Sequence, residues 1–145
     1  EWLADAEAKG VVRNVTADLG GKPLGKAVFY MTRHRERYPA LAEAEVFRQL
    51  EEIERWISAR PLVYLPREGV RLAEERIRDG DLLAVTTDLA GMDVTHVGIA
   101  LRRRHRVHLL HASSAAGKVL VSPETLYGYL GKKRGRTGIM VARPE

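Results

Sequence analysis

Apolar residues recur at helical spacing in the first sixty positions of the chain and at strand spacing afterwards. Four of them repeat every three or four positions, with glutamate and arginine between them: Val46, Leu50, Ile53 and Ile57. This spacing is typical of an amphipathic helix. Proline fits a first helical turn and interrupts a helix interior, so Pro39 and Pro61 bound a predicted helix over residues 39–59.

The remaining pattern predicts shorter elements. We expect a helix over residues 1–9 that ends at Gly10, and a strand over residues 11–16. Short apolar runs predict further strands over residues 62–65, 82–87, 95–101, 106–111, 118–121 and 137–142, with short helices near 72–78 and 124–130. Helices followed by successive strands indicate an α+β fold with a mostly antiparallel sheet. We expect a single domain over residues 1–145, mainly helical over 1–60 and mainly strands over 61–145.

Composition narrows the class of protein. The chain has 145 residues, of which 45% are hydrophobic and 30% charged, so it has enough apolar material for a core. It contains no cysteine, which excludes disulfides, thiolate metal sites and a cysteine nucleophile within these residues. No run approaches the roughly 20 apolar residues of a membrane-spanning helix. The net charge of +5 suits an anionic partner without selecting one.

Alternation in residues 95–101 predicts a strand with two unlike faces. One face carries Thr95, Val97, Ile99 and Leu101. We expect this branched face to enter the core. The other face carries His96, Gly98 and Ala100, whose small side chains leave space above them. The sequence therefore predicts an open groove over Gly98 and Ala100 into which another element can pack.

Four of the five histidines lie between His96 and His111. His105 falls in an arginine-rich stretch, residues 102–106, which we expect to be the exposed tip of a hairpin. Alternation places His111 and His108 on opposite faces of the following strand. Cross-strand neighbours come within side-chain reach, so we expect His111 to contact His96. A histidine held by a second polar group is suited to act as a general base.

Two other interpretations of these residues remain open. Asp93, His96, His108 and His111 could form a metal site with mixed oxygen and nitrogen ligands. The opposed directions of His108 and His111 and the lack of an HExxH motif argue against it, so we expect no metal and no cofactor. The basic stretches 102–106 and 132–134 could bind nucleic acid, but no known nucleic-acid motif accompanies them, and we expect no such partner.

Several stretches resemble a known family. Residues 80–83 (GDLL), 93–100 (DVTHVGIA) and 108–114 (HLLHASS) resemble motifs of the NlpC/p60 group of papain-like cysteine peptidases. Residues 29–41 (FYMTRHRERYPAL), 91–93 (GMD) and 138–143 (GIMVAR) extend the resemblance to an N-acetylmuramoyl-L-alanine amidase-like branch. The resemblance implies a papain-like α+β fold, with a mostly antiparallel sheet or half-barrel preceded by helices.

The same resemblance implies roles for individual residues. His96 corresponds to the general base and His111 to the residue that orients it, while Asp93, Ser113 and Ser114 fall where substrate-binding residues are expected. The family's nucleophile is a cysteine on an N-terminal helix, and no such motif occurs in this chain. We therefore expect the chain to be the C-terminal majority of the family's domain. A local serine, Ser58, Ser113 or Ser114, is the alternative nucleophile.

The implied function is hydrolysis of an amide bond in cell-wall peptidoglycan, as an amidase or endopeptidase of Cys-His-His type. The implied partner is peptidoglycan or a muropeptide, and the implied location is the periplasm or cell envelope. Because the nucleophile is absent from these residues, a non-catalytic peptidoglycan-binding or structural module with the same fold is the alternative. Whether the chain is an enzyme is left undecided by the sequence.

Overall fold

An eight-stranded sheet organises residues 2–145, the part of the chain that the computed structural model describes. Its strands are β1 (Val12–Asn14), β2 (Lys22–Pro23), β3 (Val63–Pro66), β4 (Leu82–Thr87), β5 (Val94–Arg103), β6 (Arg106–Ser113), β7 (Lys118–Thr125) and β8 (Arg136–Pro144). The helices are α1 (Trp2–Ala8), α2 (Tyr30–Arg33), α3 (Ala44–Ser58), α4 (Arg67–Ala73) and α5 (Leu126–Gly131). None of the described helices is long and apolar enough to cross a membrane.

The sheet runs in the order β2-β3-β8-β4-β5-β6-β7, and β1 pairs with β8 beside β3. Every pairing is antiparallel. The predicted α+β class with an antiparallel sheet is therefore confirmed. All the predicted strands are present, and β4 has the predicted bounds. Residue 1, the first of the predicted helix over residues 1–9, lies outside the described residues.

The predicted helix over residues 39–59 is interrupted. Pro39–Ala42 forms a 3-10 helix, Glu43 is extended, and α3 begins only at Ala44. The interruption lets the 3-10 turn bury Leu41, which is 3% exposed. It also makes Glu43 the residue before α3, where its carbonyl oxygen accepts a hydrogen bond from Phe47 N at 3.0 Å. The prediction of one continuous helix was wrong because helical spacing alone does not show such a break.

One face of the sheet packs against α4 and α5 and forms the main core. The apolar side chains at its centre are fully buried: Leu83, Val85, Val107, Leu109, Ile139 and Val141 from the sheet, and Val70, Leu126 and Leu130 from the helices. β8 lies inside the sheet, between β3 and β4, and Ile139 and Val141 are two residues apart on it. Both side chains therefore point to the same face and reach this core. Tyr129 of α5 also lines the cleft described below.

The two faces of β5 are the reverse of the predicted ones. Val97 is 65% exposed, whereas Ala100 is fully buried. The pairing of β5 with β4 sets His96 opposite Val85, and Val85 belongs to the core face. The space above Gly98 is filled, because a β-carbon there would lie 2.6 Å from Leu109 Cδ1. Gly98 and Ala100 therefore face the core, and the side chain of Leu109 from β6 fills the space above Gly98.

An open apolar groove lies on the other face of the sheet. Its volume is about 450 Å³, and its lining includes Trp2, Leu3, Leu82, Val97, Ile99 and Met140. The predicted groove over Gly98 and Ala100 was thus placed on the wrong face. Strand alternation separates two sets of residues but does not say which set meets the helices.

Candidate active site

His96 and His111 are joined by a hydrogen bond between His96 Nε2 and His111 Nδ1, 2.7 Å apart. Their ring planes are nearly perpendicular, at 87°, with the centroids 4.9 Å apart. His111 is only 9% exposed, and His96 is half-buried. The predicted contact between these two side chains is confirmed by this distance.

The β5–β6 hairpin brings the two histidines together. Its strands pair as predicted and turn at Arg104, whose φ of 57° lies in the left-handed region. Ile99 pairs with Leu110, and continuing this register places Gly98 opposite His111. His96 is then the diagonal neighbour of His111 on the same face, a distance that two imidazole side chains can bridge.

Tyr129 and Arg136 complete the surroundings of the pair, and neither was predicted as a site residue. The Tyr129 ring centroid lies 5.3 Å from that of His111 and 6.3 Å from that of His96. The guanidinium carbon of Arg136 lies 3.8 Å from the Tyr129 ring centroid, and Arg136 Nη1 donates a hydrogen bond to the Tyr129 carbonyl oxygen at 2.6 Å. No spacing in the sequence links residues 129 and 136 to the histidines, because α5 and β8 reach them only through the fold.

Burial and a nearby cation keep the imidazoles neutral. Burial is the main cause that lowers the pKa of His96, followed by the neighbouring His111 and by the charge of Arg136. Burial also lowers the pKa of His111, and Arg136 adds to the effect. Both rings are therefore neutral near pH 7, and one of them donates to the other. A neutral imidazole whose second nitrogen is held by a partner is prepared to accept a proton.

The pair opens into a cleft of about 830 Å³. Ser113 and Ser114 lie in its lining. The Ser113 hydroxyl accepts a hydrogen bond from Ala116 N at 3.2 Å, so it also shapes the turn that follows β6. Asp93 is not among the lining residues. Its Oδ1 accepts a hydrogen bond from Val94 N at 2.8 Å, and Asp88 contributes a carboxylate to the cleft instead.

The residues of the alternative sites lie apart. His108 Nδ1 contacts the Ser122 carbonyl oxygen at 3.0 Å, on the face opposite to His111. Within residues 2–145, no three histidine, aspartate or glutamate side chains are grouped as metal ligands. Ser58 lies outside the cleft, where its hydroxyl donates to the Glu54 carbonyl oxygen at 2.7 Å and accepts from Val28 N at 2.8 Å.

The Gly80-Asp81 pair has a structural explanation. Gly80 has a φ of 83°, which suits glycine, in the turn before β4. Asp81 is 1% exposed and receives two hydrogen bonds from Arg143, each 2.8 Å long. It also accepts from Arg78 N at 2.8 Å. This motif therefore ties β4 to the end of β8 and contributes no side chain to the cleft.

Comparison with known proteins identifies the family. The family model described as AmiA-like, N-acetylmuramoyl-L-alanine amidase-like, matches residues 1–139. The chain belongs to this N-acetylmuramoyl-L-alanine amidase-like family. A comparison with curated proteins found no match.

Several solved structures share the fold. An N-acetylmuramoyl-L-alanine amidase from Bacteroides uniformis is 32% identical, with a TM-score of 0.89 over 99% of this chain and 62% of its own. A Bacteroides fragilis protein provisionally described as a xylanase is 35% identical, with a TM-score of 0.88 over 98% of this chain and 63% of its own. A Legionella pneumophila protein at 16% identity and a TM-score of 0.63 shares the fold alone. The chain thus spans less than two thirds of the length of these proteins.

Proposed function

We propose that this chain supplies the histidine pair of a peptidoglycan amide hydrolase of the papain-like NlpC/p60 type. The single observation that carries the proposal is the hydrogen bond between His96 Nε2 and His111 Nδ1. The nucleophile is a cysteine on a segment preceding these residues in the full-length protein. The absence of cysteine here and the greater length of the similar structures support this division.

We give the two nitrogens of His96 different tasks. In the proposed mechanism His96 takes the tautomer whose Nε2–H donates to His111 Nδ1 across the 2.7 Å contact, and the lone pair of His96 Nδ1 is left for the reaction. That nitrogen takes the thiol proton as the thiolate attacks the amide carbon. It then gives the proton to the departing amine nitrogen, which leaves a thioester. Water attacks the thioester while the same nitrogen takes a proton from it. The C–S bond then breaks, the carboxylic acid is released, and the proton passes from His96 to the thiolate, which regenerates the thiol.

The lowered pKa of each histidine suits this cycle. A base must be unprotonated at the start of the reaction, and burial of His96 keeps it so near neutral pH. His111 acts as a positioning residue, because its Nδ1 fixes the tautomer and the direction of the His96 ring. His111 can accept this hydrogen bond only while its ring is neutral, and the lowered pKa of His111 keeps the ring neutral near pH 7.

The cleft is better suited to amide hydrolysis than to glycoside hydrolysis. Glycosidases use two carboxyl groups, one of which stays protonated to donate to the leaving oxygen. Of the carboxylates in the described cleft lining, Glu124 forms an ion pair with Lys132. The hydrogen bond from Lys132 lowers the pKa of Glu124, so this carboxylate stays ionised. The imidazole pair is thus the stronger candidate for proton transfer.

The substrate we propose is peptidoglycan or a muropeptide, and the corresponding location is outside the cytoplasm, in the periplasm or cell envelope. The family description names the bond between N-acetylmuramic acid and L-alanine, and an endopeptidase would cut within the peptide. The net charge of +5 is compatible with the anionic cell wall.

A non-catalytic peptidoglycan-binding module is the second candidate. The observation that favours it is the lack of cysteine in a chain that otherwise carries the site. In this case the cleft beside His96 would hold a muropeptide without cleaving it.

The test compares the 145-residue chain with the longer protein that includes the preceding segment. Each is incubated with an N-acetylmuramoyl-L-alanyl peptide, and new amines and the acyl-protein are followed by mass spectrometry. We expect release and a thioester only from the longer protein, and loss of both in its His96→Ala variant. Chelator-insensitive release by the 145-residue chain would establish a serine mechanism instead. Binding without release by the longer protein would favour the non-catalytic module.

A further inference from the structure

Cationic side chains surround one side of the cleft. The four that line it are Lys132, Lys133, Arg134 and Arg136, against two carboxylates, Asp88 and Glu124. Lys132 already forms an ion pair with Glu124. Lys133 and Arg134 are exposed, whereas Arg136 is half-buried and its charge lowers the pKa of His96 and of His111. Arg136 is therefore the cation of this group that acts on the histidine pair.

Arg136 is held in one place by Tyr129. Its guanidinium stacks on the Tyr129 ring at 3.8 Å, and one of its nitrogens, Nη1, donates to the Tyr129 carbonyl oxygen at 2.6 Å. These two contacts fix the planar group and occupy only one of its nitrogens. Among residues 2–145, no carboxylate lies within ion-pair distance of it, and its charge contributes only the smallest of the effects that lower the pKa of Glu124. The remaining donors are thus available to a ligand in the cleft.

The position of Arg136 relative to the histidines makes it relevant to substrate. The guanidinium of Arg136 stacks on the ring of Tyr129, and the centroid of this ring lies 5.3 Å from that of His111 and 6.3 Å from that of His96. The charge of Arg136 acts on both imidazoles and contributes to the lowering of each pKa. A group bound to Arg136 would consequently lie close to the amide bond at which we propose that His96 acts.

A fixed guanidinium without an ionic partner is well suited to bind an oxyanion. Arginine binds carboxylates through parallel N–H donors, and a guanidinium held in place loses little entropy when the ligand arrives. We propose that Arg136 is the anion-binding residue of the cleft and that it takes a carboxylate of the substrate's peptide portion, on the residue that follows the alanine. The substrate class follows from the proposed function, while the anion site stands on the geometry of Arg136.

The test is a binding measurement on the 145-residue chain, which needs no nucleophile. The probes are N-acetylmuramoyl-L-alanyl-D-glutamate, the carboxylate probe, whose residue after alanine carries carboxylates, and its diamide, the carboxamide probe, which lacks those charges. We expect calorimetry to show about tenfold tighter binding of the carboxylate probe by the wild type. Arg136→Gln should bind the two probes equally, and the matched control Lys133→Gln should keep the preference.

A second measurement covers the case in which Arg136→Gln does not fold. In the wild type, the carboxylate probe should shift the NMR signals of the Arg136 guanidinium and the Tyr129 ring, and the carboxamide probe should not. Equal binding of the two probes by the wild type, or a preference that survives in Arg136→Gln, would overturn the proposal. Because these assays measure binding alone, failure of the longer protein to hydrolyse its substrate would refute the proposed function without touching this result.

Discussion

His96 and His111 lie on neighbouring strands and share a hydrogen bond of 2.7 Å between Nε2 of the first and Nδ1 of the second. The contact exists because β5 and β6 pair in a register that makes the two residues diagonal neighbours on the core face. A change in this register, in the protonation of the two histidines or in the packing of the strands should therefore alter the stability of the fold or the state of the histidine pair.

Stability should fall on acidification through the histidine range. The pKa of both His96 and His111 is lowered in the folded chain, so the unfolded chain binds protons first as the pH drops below about 6.5. We expect the free energy of unfolding to decrease from there until the pH reaches the lowered folded-state pKa values, and to be unaffected by these groups above about pH 7. Urea unfolding between pH 8 and pH 5 measures this.

The double variant His96→Gln/His111→Gln is expected to lose most of this pH dependence. The exposed His105 offers a matched control, since His105→Gln removes a histidine far from the pair and should retain the wild-type slope. A slope that is the same in the double variant and the wild type would show that the pair is not responsible.

Gly98→Ala should disturb the β5–β6 pairing. Its new methyl group would lie 2.6 Å from Leu109 Cδ1 and 2.7 Å from the Leu110 carbonyl oxygen, and a backbone atom cannot move aside without shifting the strand. We expect a loss of about 1–3 kcal/mol in the free energy of unfolding, measured in urea. Gly128→Ala is the control, because no atom comes closer than 3.4 Å to its new methyl group. A Gly98→Ala protein as stable as the wild type would contradict the packing described for β5.

Asp81→Asn should destabilise the fold without altering the cleft. Asp81 is 1% exposed, and its two hydrogen bonds from Arg143 join β4 to β8. Removing the charge leaves a largely buried guanidinium without its partner, which costs about 3 kcal/mol in comparable cases. Thermal and urea unfolding measure the loss. Asp5→Asn, which breaks the exposed pair with Lys9, should have little effect, and equal effects of the two substitutions would refute the role of Asp81.

Local pattern was enough to predict seven of the eight strands and the histidine hairpin, and it missed only the two-residue β2. Period-two alternation placed β4 correctly and joined β5 to β6 through the arginine-rich turn. That His96 and His111 share a face was expected from the roles that the family resemblance implies, because alternation fixes side-chain directions only within each strand.

Alternation could not say which face of β5 is the core. The branched side chains of Val97 and Ile99 suggested burial, but the helices pack on the side of Gly98 and Ala100, where Leu109 of β6 supplies the bulk. Tyr129 and Arg136 were missed for a similar reason. They join the site through contacts between α5, β8 and the sheet, and such contacts leave no periodic signal in one sequence.

The tautomer of His96 tests the central claim most directly. ¹⁵N NMR of the histidine rings at pH 7 reports which nitrogen of each ring carries the proton. If His96 is a base held by His111, its Nε2 should be protonated and donate to His111 Nδ1, with His96 Nδ1 bare. A proton on His96 Nδ1, or a doubly protonated ring at this pH, would contradict the assignment of His96 as the general base.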